Sequence, residues 1–328
     1  MGLSTGRDLH IDQHLTNLAI NYRPQAFIAD MIAPVIPVEK QSNAYPVFSR
    51  FENFSVEDTS RSPGMEARKI TRSVSSGQYY AKNYALGYDV PIEDVANMDA
   101  ALRFELDAGA TRYLVNKMGI DYEKRVLTLA SQAASVSTVF VPNSAWTGAG
   151  ANAGDVVSQV FQMIEQVQNV TGQRPNKILM GWKAWNYARR NYYVRNLLLG
   201  TNNGGGVVAR QQFAALFEVD NLLVSEAMWH NANEAAVNSG VLTNAIDTSM
   251  FAYYAPSGPS RDDPSWMYSF RWQAPGLPTP MVVERHPYDT KKKVDTIECG
   301  YYQDEKIVGP EYAAKITVTV ASGALGLI

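Results

Sequence analysis

Between Tyr45 and Val90 the chain carries a long stretch with too few core-forming side chains to stabilise itself. Strand-like runs around Tyr45–Phe54 and Gln78–Val90 flank a polar centre, SVEDTSRSPGMEARKITRSVSSG, in which Ser-Pro-Gly marks a turn. The pattern predicts an extended two-stranded arm. An isolated hairpin is marginal in water, because ordering each residue costs about 1–2 kcal/mol that buried surface must offset. The arm therefore needs a partner surface elsewhere. Charge along it is segregated. Glu52, Glu57 and Asp58 form an acidic block on the ascending side, while Arg61, Arg68, Lys69, Arg72 and Lys82, with only Glu66 among them, form a basic block at and beyond the tip. One reading is an ordinary solvated hairpin. The other is a basic tip matched to an acidic surface, such as one offered by Glu93, Asp94, Glu105, Asp107, Asp121 or Glu123; complementarity of that kind sets register and partner choice more than affinity.

The sequence behind the arm predicts a scaffold for it. From Asp99 to Ser131 the residues Leu102, Leu106, Ala110, Tyr113, Leu114, Met118, Val126, Leu127 and Ala130 recur mostly three or four apart, one apolar stripe of a helix. At 1.5 Å per residue such a helix spans roughly 50 Å, beyond the usual globular length. Pro91, Glu93 and Asp94 suit a helix start just ahead of it. WTGAGANAG, residues 146–154, marks a boundary to a second lobe, in which helical and strand patterns alternate: 155–170, KILMG, WKAWNYARRN, the loop GTNNGGG, ARQQFAALF and NLLVSEAMW. SMFAYYAP, SWMYSFRWQ, MVVERHPY, VDTIECGYYQDEKI and AAKITVTVA then read as strands. Ahead of the arm, Pro24, Pro34 and Pro37 break any regular element. The apolar run FIADMIAPVIPV there either tucks into the chain's own core or lies on another subunit.

Composition narrows the function. With 328 residues, 46% of them hydrophobic and 19% charged, the chain buries a sizeable core, and a formal net charge of -3 gives no global field for a polyanion. The single Cys299 excludes an internal disulfide and fits a reducing cytoplasm; no basic and apolar leader and no run of about 18 apolar residues is present, so no membrane partner is expected. Catalytic constellations are missing. His10 and His14 share a helical face but have no third ligand, so no metal is expected. Cys299 and His286 could pair as nucleophile and base only without a nucleophile turn or an orienting acid, and a buried structural cysteine is the simpler reading. GTNNGGG lacks the Lys-Ser/Thr of a phosphate loop, and Glu57–Asp58 and Asp262–Asp263 read as solvated charges. Arg189, Arg190 and Arg195 interleave with aromatic residues in WKAWNYARRNYYVRN, a pattern shared by nucleic-acid contacts and by helix packing or subunit contacts, and packing or a subunit interface is favoured. No cofactor and no catalytic residue are expected.

The order of these parts, together with FIADMIAPVIPVEKQSNAYPVFSR before the arm and YALGYDVPIEDVAN before the long helix, resembles the HK97-type major capsid proteins of tailed bacteriophages. The resemblance implies an α+β capsid fold with an N-terminal arm over 1–42, an extended hairpin or E-loop over 43–90, and a P-domain with the spine helix over 91–152. It further implies an A-domain over 153–287 and C-terminal strands over 288–328 that return to the P-domain, Lys315–Val320 among them. It implies hexamers and pentamers of an icosahedral head around double-stranded DNA held by non-specific contacts. The E-loop would lie on the adjacent subunit, through Arg61, Arg68, Lys69, Arg72, Lys82, Glu93, Asp94 and Glu105. Asn202, Asn203, Gly204 and Gly205 are candidates for a loop at the capsomer axis. The chain shows no long helical region ahead of its arm, so a separate scaffolding protein is expected, with a portal protein and optionally a decoration protein as further partners. Lys69 and Lys82 lie in the arm, but no crosslinking motif accompanies them. The expected location is the virion, after assembly in the host cytoplasm. An encapsulin-like compartment shares the fold and is the alternative; an enzyme in the α/β lobe is a more distant one.

Overall fold

A computed structural model describes residues 15–16, 18–19, 27–48, 52, 54–97, 100–142, 144–146, 153–200, 206–230, 242–260, 263–273, 281–289 and 293–318. In chain order the elements are α1 (Ala29–Ile32), β1 (Val35–Val38), β2 (Ser42–Phe48), β3 (Val74–Tyr80), β4 (Lys82–Pro91), α2 (Ile92–Ala96), α3 (Ala100–Ser131) and β5 (Thr138–Phe140). They continue with α4 (Val156–Thr171), β6 (Lys177–Gly181), α5 (Trp182–Ala188), α6 (Tyr192–Leu199), α7 (Arg210–Leu216), β7 (Asn221–Ser225), β8 (Trp229–His230) and β9 (Leu242–Thr243). Last come β10 (Ser249–Tyr253), β11 (Met267–Trp272), β12 (Val282–Asp289), β13 (Val294–Ile307) and β14 (Ala313–Thr317).

The predicted long helix forms without a break as the 32-residue α3, about 48 Å at 1.5 Å per residue. Its stripe serves two sheets. Ala110, Leu114, Val115 and Met118 pack with Val283, Ile297, Cys299 and Tyr301, while Val126, Leu127 and Ala130, about two to three turns beyond Met118, meet Ile32, Phe251, Tyr253 and Trp266. Ser135 closes the end of the helix by donating its hydroxyl to the carbonyls of Ala130 and Gln132 at 2.6 and 2.7 Å.

The first sheet is built on β13, which pairs antiparallel with β4 on one edge and with β12 and β11 on the other, while β1 adds in parallel to β11. Ile297, Cys299, Tyr301 and Gln303 are buried and their neighbours are not, the period-2 signature of a strand with one face on a core. The second sheet runs β5-β14-β10-β6-β7. β6 and β10 are buried in every residue, as expected of strands covered on both faces. Helix α4, started by Asp155 accepting from the Ser158 amide, lays Val160, Met163, Ile164 and Val167 into the same core as Trp185 and Phe213.

One expectation meets a different arrangement, and one open choice is decided. Lys315–Val320, expected to rejoin the sheet of the spine domain, contribute as far as Thr317 to β14, which sits between β10 and β5 in the second sheet and so meets 91–152 through β5 and not through the sheet of β13. The small and β-branched residues of β14 explain this: Ala313 packs on the cluster under α3 and Ala314 and Ile316 on the α4 side, so the strand has two buried faces. The segment FIADMIAPVIPV, with two open readings, lies within its own chain. Ala29, Ile32, Ala33, Ile36 and Val38 are buried, and Lys177 and the Tyr253 hydroxyl donate to the Met31 carbonyl at 3.1 and 3.2 Å.

Candidate assembly interface

The arm is rooted more firmly than its polarity suggests. β2 and β3 pair antiparallel from Ser42 opposite Tyr80 to Phe48 opposite Val74. Tyr45 lies across Gly77, where an added Cβ would come within 2.3 Å of the ring, so only glycine fits under it. Tyr45 and Tyr79 then stack on Phe270 of β11, with centroids 5.1 and 4.7 Å apart. The strands do not continue as one hairpin. At Ala81, which is fully buried, the chain leaves β3, and β4 joins β13 instead.

Beyond this root every residue from Ser55 to Ser73 is exposed. The Ser-Pro-Gly signal forms the expected turn: the Met65 amide donates to the Ser62 carbonyl at 3.2 Å, and Gly64 takes φ +86°, the left-handed position of a type II turn. Glu52 ties the two sides of the loop by accepting from the Ser73 amide at 2.8 Å and from its hydroxyl; these bonds hold its carboxyl below the ordinary range. The Phe54 ring lies against Gly172 at the end of α4.

The predicted cations lie in two places. Arg61, Arg68, Lys69 and Arg72 are on the exposed loop, where Arg68 is 3.5 Å from Glu57 and Lys69 is 3.8 Å from Glu66. Solvated pairs of this kind contribute little. Lys82 is on β4, opposite Gln303, and not on the loop. Of the acids, Glu93 is exposed on α2; the side chains of Asp94 and Glu105 and the residues Asn202, Asn203, Gly204 and Gly205 lie outside the described set, as do His10 and His14.

Three acids expected on the surface are engaged inside the chain. Asp107 pairs with Arg285 at 3.1 Å. Asp121 pairs with Arg125, which also meets Glu305 at 3.0 Å, donates to the Tyr301 hydroxyl at 3.0 Å and covers the Tyr84 ring at 3.7 Å, clamping α3 to β13 and β4. Glu123 is buried and accepts from the amides of Ile28 and Ala29 at 3.0 and 2.8 Å, holding the first turn of α1. Its burial, opposed by those two bonds and reinforced by the nearby Asp30, pushes its pKa up to about 7. A capping acid nearly a hundred residues away left no sequence signal.

The chemical candidates do not converge. Cys299 on β13 is buried opposite Val283, whereas His286 on β12 is exposed opposite Thr296; the two pairs are offset by three residues, so Cys299 and His286 face opposite sides of the sheet. Burial pushes the Cys299 thiol up to about 12, away from nucleophilic use. Among the described residues no His/Cys/Asp/Glu group could hold a metal, and no helix is long and apolar enough to cross a membrane.

A hairpin rooted on a β-sheet, a spine helix under two sheets and an α/β lobe form the geometry to compare with known proteins. A phage-related protein from Bordetella bronchiseptica superposes with a TM-score of 0.73 at 20% identity over 95% of this chain and 98% of that one. The mature capsid of bacteriophage PhiM1 superposes with a TM-score of 0.54 at 11% identity, over 97% and 92%. The fold is that of the HK97-type phage capsid proteins. In sequence, the major capsid protein of Burkholderia phage BcepMu is 26% identical over 224 residues, 67% of this chain and 70% of that protein. The major capsid protein of Pseudomonas phage JBD67 is 26% identical over 223 residues, 66% and 69%. No family model matches the chain.

Proposed function

We propose that the chain is the major capsid protein of a tailed phage, a structural subunit that self-assembles into the hexamers and pentamers of an icosahedral head around double-stranded DNA. The observation that carries this is the match across two thirds of the chain to proteins named major capsid protein, in a capsid fold that extends over nearly its whole length. The arm supports it from within. Its root is buried on Phe270, but the loop from Ser55 to Ser73 has no cover of its own, as a segment needs if its partner is another copy. On this reading the loop cations Arg61, Arg68, Lys69 and Arg72 contact the adjacent subunit, Lys82 and Glu93 flank the same contact, and Asp94 and Glu105 extend it. Residues 202–205 approach the capsomer axis. A separate scaffolding protein, a portal and a decoration protein are partners of assembly in the host cytoplasm, and the finished location is the virion.

Negative-stain microscopy of the purified chain, alone and co-expressed with the scaffolding gene product, tests this. Closed shells or capsomers are expected, with nuclease-protected DNA in particles recovered from infected cells. Uniform monomers under every condition would sink the reading. Particles filled with enzymes and free of DNA would move it to a compartment shell.

A further inference from the structure

The formal charge of -3 conceals an uneven distribution. Between Gln166 and Phe217, a stretch of 52 residues, the chain carries seven Lys and Arg and not one Asp or Glu. The other 276 residues hold the remaining 22 cations against all 32 acids, a balance of -10. The exposed loop has no comparable excess, since from Glu52 to Lys82 five cations stand against four acids.

Four of the seven cations are spread over the lobe. Arg174 pairs with Glu218 at 2.8 Å, Lys183 with Asp247 at 2.7 Å and Arg210 with Glu226, all acids from outside the stretch, and Lys177 donates to the Met31 carbonyl. The other three, Arg189, Arg190 and Arg195, gather within seven residues at the corner between α5 and α6. Among the described residues, neither Arg189 nor Arg190 has an acidic partner.

This corner is surface and not core. Packing falls to Trp185, Ala188 and Val194, which are buried, whereas Arg190 and Tyr192 are exposed and Arg189 and Arg195 half-buried. Arg190 is steadied by its Nε, which donates to the Asn186 carbonyl one turn back on α5 at 2.9 Å. Asn191 fixes the turn itself by donating to the carbonyls of Trp146 and Gly154 at 3.1 and 2.9 Å and accepting from the Tyr193 amide. The acid that follows Gly154, Asp155, is occupied by the amide and hydroxyl of Ser158 at 3.1 and 2.6 Å.

A planar guanidinium fork matches phosphate oxygens, and a tyrosine hydroxyl beside it is a further donor of the kind that positions a duplex without reading its sequence. Over the rest of the chain the net charge repels a polyanion, so attraction is concentrated here. We propose that the corner of α5 and α6 is a phosphate-binding surface for the enclosed double-stranded DNA, with Arg189, Arg190 and Arg195 as its cations. The proposal rests on the proposed shell function and names where the shell touches its contents. One copy neutralises only about three phosphates, a weak contact that many copies facing the same duplex multiply.

The salt dependence of binding tests the surface. Binding of the purified chain to a labelled duplex of roughly 30 base pairs and arbitrary sequence is followed by fluorescence anisotropy at 50 and 200 mM salt. Each neutralised phosphate adds about 0.9 to the slope of log K against log salt, so three contacts weaken binding about 40-fold over that range. Arg189→Gln with Arg190→Gln should reduce this loss to about 3.5-fold, and Arg190→Gln alone to about 12-fold with an unchanged melting temperature. Lysine at both positions keeps the charge and should keep the full loss, as should Arg174→Gln, which removes a cation already paired with Glu218. If the double variant unfolds, the exposed Arg190→Gln decides. Wild-type chains that form shells but do not bind the duplex, or glutamine variants with unaltered salt dependence, overturn the surface and leave the shell function standing. A salt dependence lost with the arginines, in a chain that never forms shells, keeps the surface and removes the shell; a chain with neither shells nor binding removes both. Variants that bind DNA as wild type does but no longer associate make the corner a contact between subunits and overturn the proposal.

Discussion

Residues 27–38 and 55–73 are both short of regular structure, and they meet opposite fates. The first has α1 and β1, buries Ala29, Ile32, Ala33, Ile36 and Val38, and is bonded to the spine, to β6 and β10 of one sheet and to β11 of the other. The second buries nothing. What separates them is apolar content, since proline interrupts both. A segment with an isoleucine or valine at nearly every other position offsets its ordering cost inside its own chain, whereas one rich in Ser, Arg and Glu does not.

The contrast is sharpest in stability. Ile32→Ala is expected to cost about 3–4 kcal/mol by chemical denaturation, the transfer and cavity cost of a fully buried side chain. A loss below about 1 kcal/mol would mean that the N-terminal segment is not part of the core. Glu123 gives the next effect, and it depends on pH. Its pKa is about 7 in the folded chain against 4.5 ordinarily, so its contribution is fully present below pH 4.5 and is lost as pH rises through 7. The stability difference between wild type and Glu123→Gln should therefore shift by about 3 kcal/mol against wild type between pH 4.5 and 8.5, and a flat difference would remove the carboxylate from this role.

Tyr45→Ala, at the root of the arm, is expected to cost about 2 kcal/mol, because the ring is lost from both Phe270 and Gly77. Further out the effect vanishes from stability and passes to assembly. Deleting Glu57–Arg72 should leave circular dichroism and the melting temperature nearly unchanged, within about 1 kcal/mol, while closed shells disappear from micrographs. Unfolding on that deletion would erase the distinction between the two regions. Arg68→Ala should shift stability by no more than about 0.5 kcal/mol, since its pairing with Glu57 is solvated.

Much of the fold was legible because one-dimensional patterns decide it. The spacing of Leu106, Ala110, Leu114 and Met118 defines α3, and the alternation of Ile297, Cys299 and Tyr301 defines β13. The Ser-Pro-Gly turn was equally readable, since proline and a positive-φ glycine encode it locally. Tertiary events were not. The departure at Ala81 depends on burial of an ordinary alanine, and the position of β14 depends on which of two sheets offers two faces to AAKIT. Of the candidate interface, the exposed cations were visible in the sequence; that Asp107, Asp121 and Glu123 are occupied was not, because their partners lie elsewhere in the chain or, for Asp121, one helical turn away.

The bonds that hold residues 27–38 also set an order of events during synthesis. The Glu39 carbonyl waits for Trp272, 233 residues later, and Met31 waits for Lys177 and Tyr253, 146 and 222 residues later. At about 5–20 residues per second, an apolar ribbon is left without its cover for roughly 10–50 s on the ribosome. Nascent chains of this protein are therefore expected to be prone to aggregation through residues 27–39, and a chaperone that holds that ribbon would raise the yield of soluble protein.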